Sequence, residues 1–236
     1  MSLSLLAIHA HPDDESSKGA GTVNLYSSQG IRTTLVCCTG GEAGDILNPA
    51  MDKEEVRQNL AAVRRSELDT AAGIIGYDEV IMLGYRDSGM PESEANDHEE
   101  AFANADLDEA VEKLVRIIRR VRPQVIMTYP EVQNRYPHPD HLQVTAISIP
   151  AYERAGDPEW YPQAGEPFEP SKLYAPIWSK QRLLLTHQAF LDRGLDSPYD
   201  DKWLSGKDRD DRIAAICLLY TSDAADEGLG VDLGGR

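Results

Sequence analysis

Cysteine is scarce: there are three in 236 residues, two of them adjacent at Cys37 and Cys38 and the third at Cys217. An odd number without C-x-x-C spacing supplies neither a disulfide framework nor a thiolate metal site, so buried, reduced thiols are expected. Long apolar runs are missing as well. No stretch reaches the roughly 20 residues that a membrane helix needs. The opening residues, Met1-Ser-Leu-Ser-Leu-Leu-Ala-Ile-His9, lack a basic region and turn polar too early for a secretory leader. A cytoplasmic location is therefore expected. Basic charge is also in short supply, with 23 Lys and Arg against 40 Asp and Glu and a formal net charge of −17. Such a field repels phosphate backbones and anionic lipid, which argues against nucleic acid or a membrane surface as partner and leaves a small molecule as the expected one. The acidic clusters at 92–108 and after Asp208 read as solvated loops.

What the chain does contain is an alternation of short apolar runs and amphipathic stretches. Residues 3–9 form an apolar run expected to be a central strand, followed by a short helix at 19–29 and a β-rich run at 33–39. Apolar residues at Val56, Leu60, Val63, Leu68, Ala71 and Ile75 predict one helix over 53–75, closed by Gly76. A third strand is expected at 79–83, an amphipathic helix at 107–121 with Pro123 beyond it, and a fourth strand at 124–129. A helix follows at 140–155, with Pro150 as a kink or early stop, and a fifth strand is expected at 182–186. Residues 157–176, rich in Pro, Gly and aromatics, read as a long loop able to cover a site. Alternating strands and helices predict an α/β fold: a Rossmann-like, mostly parallel sheet with helices on both faces. Ligands in such sheets bind beyond the carboxyl ends of the strands. Two His/Asp segments fall there, one after the first strand and one after the fourth.

The first segment is His11-Pro-Asp13-Asp14. A catalytic zinc takes three His or carboxylate ligands and keeps one position for water. His11 and Asp14 can supply two of them, while Asp13, pointing elsewhere, can act as general base on a water whose pKa the metal lowers towards about 7. The competing explanation is a polar turn in which Asp14 caps the next helix. The second segment, His138-Pro-Asp140-His141, opens a helix, with Pro139 suited to its first turn and Asp140 to its positive end. Residues three apart share a helix face, so His138 and His141 can address one centre. A neutral His141 suits the third ligand position. His138 would polarise the scissile carbonyl, its charge balanced by Asp140. The competing explanation is a capped helix carrying two surface histidines, as in a non-catalytic sugar-binding α/β module. His9 could join by spacing alone, although a buried, hydrogen-bonded ring is the stronger expectation. His98 and His187 have no partner in sequence. Residues 39–44, Thr-Gly-Gly-Glu-Ala-Gly, lack the spacing of a nucleotide loop, but Glu42 can line the pocket.

Together HAHPDDE (9–15) and YPHPDH (136–141) resemble the LmbE-like/PIG-L family of zinc N-acyl-glucosamine deacetylases and amidases, over roughly 3–213. The resemblance implies a single zinc held by His11, Asp14 and His141, with Fe2+ a possible substitute, Asp13 as base and His138 as the acid that stabilises the oxyanion. It implies a transition-state role for Tyr136, and contacts from Arg64 and Asp87 to the sugar or inositol end of the substrate. The stretches DESSKGA (14–20) and GYRDSG (84–89) are most similar to the branch that hydrolyses the amide between an S-substituted N-acetylcysteine and glucosaminyl-inositol. The alternative is the sister deacetylation of N-acetylglucosaminyl-inositol. Lys18 is placed to choose between acyl groups, or is a surface lysine. One domain, 1–216 and truncated at its C-terminus, is expected. Residues 217–236 fit no amphipathic period and resemble an in-frame translation of a sequencing adapter, hence a non-native tail.

Overall fold

The computed structural model describes residues 3–131, 133, 137–176, 180–197 and 199. The chain divides into two compact units, Met1–Pro176 and Ile177–Arg236. The expected boundary at 216 and the tail 217–236 lie outside the described residues.

The first unit is built on β1 (Ser4–His9), β2 (Arg32–Thr39), β3 (Glu79–Tyr85), β4 (Val125–Met127) and β5 (Lys172–Tyr174). They form one sheet in the order β3-β2-β1-β4-β5, with every pair parallel. The order reverses between β1 and β4, so the crevice beyond their carboxyl ends is the switch point where such sheets bind ligands. β1 is buried along its whole length, as a central strand covered on both faces must be. Its alternate residues serve different cores. Leu6 and Ile8 join a cluster with Val111, Leu114 and Ile118 of α5 (Leu107–Val121) and Val144, Ile147 and Ala151 of α6 (Pro139–Arg154). Leu5 and Ala7 join Val23 of α2 (Ala20–Ser28) and Leu68, Ala72 and Ile75 of α4 (Leu60–Ile75). The period-2 pattern of the strand thus clamps a helix layer on each face.

Helix ends follow local chemistry. In α5 the Asp106 carboxylate accepts from the Glu109 N–H at 2.9 Å. The helix closes on Arg122 in the left-handed region, just ahead of Pro123. Two short helices complete the unit, α1 (Asp14–Ser17) and α3 (Glu54–Gln58).

Three sequence expectations are corrected. The helix expected over 53–75 is two, broken at Asn59, whose ψ of 27° departs from helical values. α6, expected at 140–155 with Pro150 as a kink or early stop, runs through Pro150 to Arg154, so the early stop does not occur. The fifth strand is not 182–186, which lies within α7 (Lys180–Leu191) of the second unit, but β5, inside the stretch read as loop. A run such as Leu183-Leu-Leu185 does not tell helix from strand by periodicity, and three residues of an edge strand carry too little pattern to be seen. Among the described residues, no helix is long and apolar enough to cross a membrane.

Candidate metal centre

β1 delivers His11 to the switch point through a tight turn. The Asp14 N–H donates to the His11 carbonyl at 3.3 Å, and the His11 N–H returns to Asp14 Oδ2 at 3.1 Å. Between them Asp13 takes φ 121°, a conformation that costs a non-glycine residue about 1–3 kcal/mol and persists only where its surroundings impose it. Here they do. The Asp13 N–H donates to buried Glu15 at 2.8 Å, its carboxylate accepts from Arg64 at 2.6 Å, and Arg64 also donates to the Pro12 carbonyl. The strain sends neighbouring carboxylates apart: Asp14 is buried, whereas the Asp13 side chain is 70% exposed at the rim.

The second segment arrives on α6. His138 caps the helix, its Nδ1 accepting from the Asp140 N–H at 3.2 Å with Pro139 in the first turn. His141 stands one turn on and stacks against Tyr129, ring centroids 4.5 Å apart. The rings of His11 and His141 lie 5.3 Å apart and those of His11 and His138 4.6 Å.

Asp14 Oδ2 is 3.5 Å from His11 Nδ1 and 3.4 Å from His141 Nε2. Ligand atoms about 2.0–2.2 Å from one tetrahedral ion are spaced about 3.3–3.6 Å from each other. The trio therefore has the donor set and spacing for a divalent metal, and its ligand atoms all lie within 4.8 Å of one another. A second group, His11, His138 and Asp140, meets the same limit. The two share His11 but use it differently. Its Nδ1 faces Asp14, and its Nε2 meets Asp140 Oδ2 at 3.0 Å. Asp140 is itself gripped by Ser88, whose N–H donates at 3.0 Å and whose hydroxyl also donates. A carboxylate behind a histidine ring in this way fixes the ring's orientation and tautomer.

Electrostatics follow from the crowding. Burial pulls His11 down, but the bonds to Asp14, Asp140 and Asp87 override it and raise its pKa to about 11. Burial would push Asp14 up, yet His11, His141 and Lys18 hold it well below the usual carboxylate range. His138 is pulled down to about 4 by burial and then by the charges of His11 and His141, so its ring is neutral at pH 7. Because Nδ1 accepts from a backbone N–H, the ring proton of that neutral form resides on Nε2.

The other expected residues divide in two. Lys18 is not a free surface lysine: its ammonium pairs with Asp14 Oδ1. Arg64 sits beside Asp13 at the rim. Asp87 lies beneath the cluster, taking the Gly89 N–H at 2.8 Å and the Ala43 N–H at 3.3 Å, with His11 Nε2 at 3.5 Å. Glu42 holds the Asp87 N–H at 3.1 Å. The Asp140 carboxylate, expected to balance His138, bonds to Ser88 and His11, and its charge also acts on His138, raising that ring's pKa against the effect of burial. Tyr136 lies outside the described residues. His9 is buried as expected, but neither ring nitrogen finds a hydrogen bond among the described residues. The ring it meets, Tyr129 at 5.8 Å, spends its hydroxyl on Asp14 and accepts from the Ala10 N–H. Sequence reasoning assigned no role to Tyr129, Ser88 or Glu15. Their signal is position: Tyr129 and Ser88 follow the carboxyl ends of β4 and β3.

Residues 6–152 match the family model described as PIG-L, GlcNAc-PI de-N-acetylase. A mycothiol S-conjugate amidase of Streptomyces coelicolor is 47% identical over 208 residues, covering 86% of this chain and 70% of that protein. A 1D-myo-inositol 2-acetamido-2-deoxy-alpha-D-glucopyranoside deacetylase of Geodermatophilus obscurus is 39% identical over 201 residues, covering 83% and 68%. Among solved structures, the N,N'-diacetylchitobiose deacetylase of Pyrococcus horikoshii superposes with a TM-score of 0.59 at 22% identity, covering 86% of this chain and 73% of that one. That likeness establishes the fold.

Proposed function

We propose, from the premise that the chain belongs to the PIG-L (LmbE-like) family of hydrolytic enzymes acting on amide bonds, that it is a zinc-dependent amidase. Its substrate would be the amide joining an S-substituted N-acetylcysteine to glucosaminyl-inositol. The observation that carries this is the meeting of two segments more than a hundred residues apart, with Asp14 Oδ2 3.5 Å from His11 Nδ1 and 3.4 Å from His141 Nε2.

His11, Asp14 and His141 would hold the metal, His11 steadied from behind by Asp140 and Asp14 by Tyr129 and Lys18. A bound zinc supplies Lewis-acid polarisation of the carbonyl and acidifies a water. Asp13, the accessible carboxylate of the pair, takes a proton from the attacking water as the C–O bond forms. It returns a proton to the nitrogen as the C–N bond breaks, releasing amine and carboxylate. His138 donates its Nε2 proton in a hydrogen bond to the carbonyl oxygen as negative charge develops there. Arg64 orients Asp13 through the 2.6 Å contact. Tyr136, in the YPHPDH segment, adds a second donor. The proposed compartment is the cytoplasm, in keeping with the free, buried thiols of Cys37 and Cys38.

Deacetylation of N-acetylglucosaminyl-inositol is the second reading, favoured by the deacetylase relative, and differs in the acyl group accepted. The test is hydrolysis of both substrates side by side by zinc-loaded protein. Faster turnover of the thiol conjugate is expected, and Asp13→Asn should cut kcat about 10²–10⁴-fold with metal content unchanged. A protein without stoichiometric metal, or an undiminished Asp13→Asn variant, sinks the proposal.

A further inference from the structure

Two groups of ligand-type side chains meet at His11, and the proposed reaction fills one of them. The other joins His11, His138 and Asp140, all buried, with ligand atoms within 4.8 Å of one another. It addresses the opposite edge of the His11 ring. Nδ1 faces Asp14, whereas Nε2 stands 3.0 Å from Asp140 Oδ2 and 3.5 Å from Asp87 Oδ1. Both of these carboxylates are buried, and among the described residues His11 is their only ionic partner. Their other bonds come from neutral donors: the N–H and hydroxyl of Ser88 for Asp140, the N–H groups of Gly89 and Ala43 for Asp87. An ion held through Nδ1 requires a neutral His11. The two carboxylates then face that ring with no cation on their side of it. Buried anions in that state are costly, and a second cation relieves the cost.

We infer that a second zinc ion binds between His11 Nε2, Asp140 and His138 once the first site is filled, and that it blocks turnover. The His11 ring is then shared, one nitrogen to each ion, and each ion displaces the proton of the nitrogen it takes. Two imidazoles and a carboxylate are a donor set that zinc accepts. The second ion is the weaker of the two, because it must open the contact between His11 and Asp140 that the first leaves intact. Binding at this site does not depend on the reaction catalysed. The block does rest on the amidase proposal, in which His138 must reach the substrate's carbonyl oxygen and not an ion.

The test is titration of metal-free, full-length protein with Zn2+ by calorimetry, with bound metal counted after equilibrium dialysis. Two equivalents are expected, the second about 10–100-fold weaker than the first and lost on desalting. His138→Asn removes the ring but keeps a residue that caps helices, and Asp140→Asn removes the charge. Each should retain the first equivalent and lose the second, with the first weakened about 10–100-fold in Asp140→Asn. In the wild type, amide hydrolysis should fall on the order of 10²-fold as the second equivalent fills. A single equivalent in the wild type, or a second that survives in both variants, overturns the site. Undiminished hydrolysis with the second equivalent bound overturns the block. The expected binding pattern in a protein that hydrolyses neither amide at one equivalent of zinc keeps the site and removes the amidase proposal instead.

Discussion

Two places in the first unit bury ionic side chains, and they solve the cost of doing so differently. At the ends of α5 and α6 the buried guanidinium of Arg119 donates to six backbone carbonyls, those of Arg154, Ala155, Asp157, Trp160, Tyr161 and Gly165. Every acceptor is fixed main chain, and two, those of Arg154 and Ala155, are carbonyls at the end of α6, where a helix leaves them without intrahelical donors. Nothing there can exchange a proton or admit a ligand, so the group acts as a lock. At the carboxyl edge of the sheet, His11, Asp14, Asp87, Asp140 and His141 crowd together, and His11 alone has three carboxylates within 3.5 Å. Those partners compete, and an ion or proton can replace one of them. Burial with fixed partners makes structure, whereas burial with interchangeable partners makes a site.

The largest expected effect lies at the site. Asp14→Ala removes the oxygen shared by both histidines, so metal content measured on purified protein should fall from stoichiometric to near zero. Amide hydrolysis should drop on the order of 10³-fold or more, the scale on which groups of a catalytic unit act, while far-UV circular dichroism stays that of a folded protein. Arg119→Met should give the opposite pattern. Six carbonyls lose the guanidinium, four of them keeping a backbone N–H donor, and urea unfolding should show a loss of about 2–4 kcal/mol, with metal content and turnover per folded molecule unchanged. Arg119→Lys should recover only part of it, because an ammonium has three donors and no fork. Loss of metal from a folded Arg119→Met protein, or unfolding of Asp14→Ala, would erase the distinction.

The lock and the site were not equally legible in the sequence. His11, Asp14, His138 and His141 announce themselves because metal chemistry restricts residue type and spacing, and both segments follow apolar runs that must be strands. The α5 stripe, Val111, Leu114, Val115 and Ile118, likewise gives its helix to the residue. Arg119 is invisible by the same logic: an arginine in a helix's last turn reads as a solvated charge favoured by the dipole, and only the path of residues 154–165 turns it inward. Ser88 and Tyr129 are missed for a related reason, since a hydroxyl that orients a carboxylate has no required spacing from it. The misplaced fifth strand shows the limit of periodicity, which failed where three residues pair at a sheet edge and where an apolar triplet sits within a helix.

The smallest expected effect is one of protons alone. In metal-free protein, His9 and His138 are both depressed to about 4, His9 first by burial, from an ordinary value near 6.5. The unfolded chain therefore takes up their protons first, and stability falls as pH drops from 6.5 towards 4, by up to about 1.4 kcal/mol per pH unit for each ring. His11, raised to about 11, behaves oppositely: its contribution is complete below 6.5 and is lost as pH rises through 11. Urea unfolding in chelator should thus show stability falling on both sides of about pH 6.5. Zinc, which needs His11 neutral, should remove the alkaline decline. His9→Phe, at a ring with no hydrogen bond among the described residues, should halve the acid slope while leaving metal content intact. An acid slope that stays at its full value in His9→Phe would mean that the ring titrates normally, and that this buried histidine belongs with neither the lock nor the site.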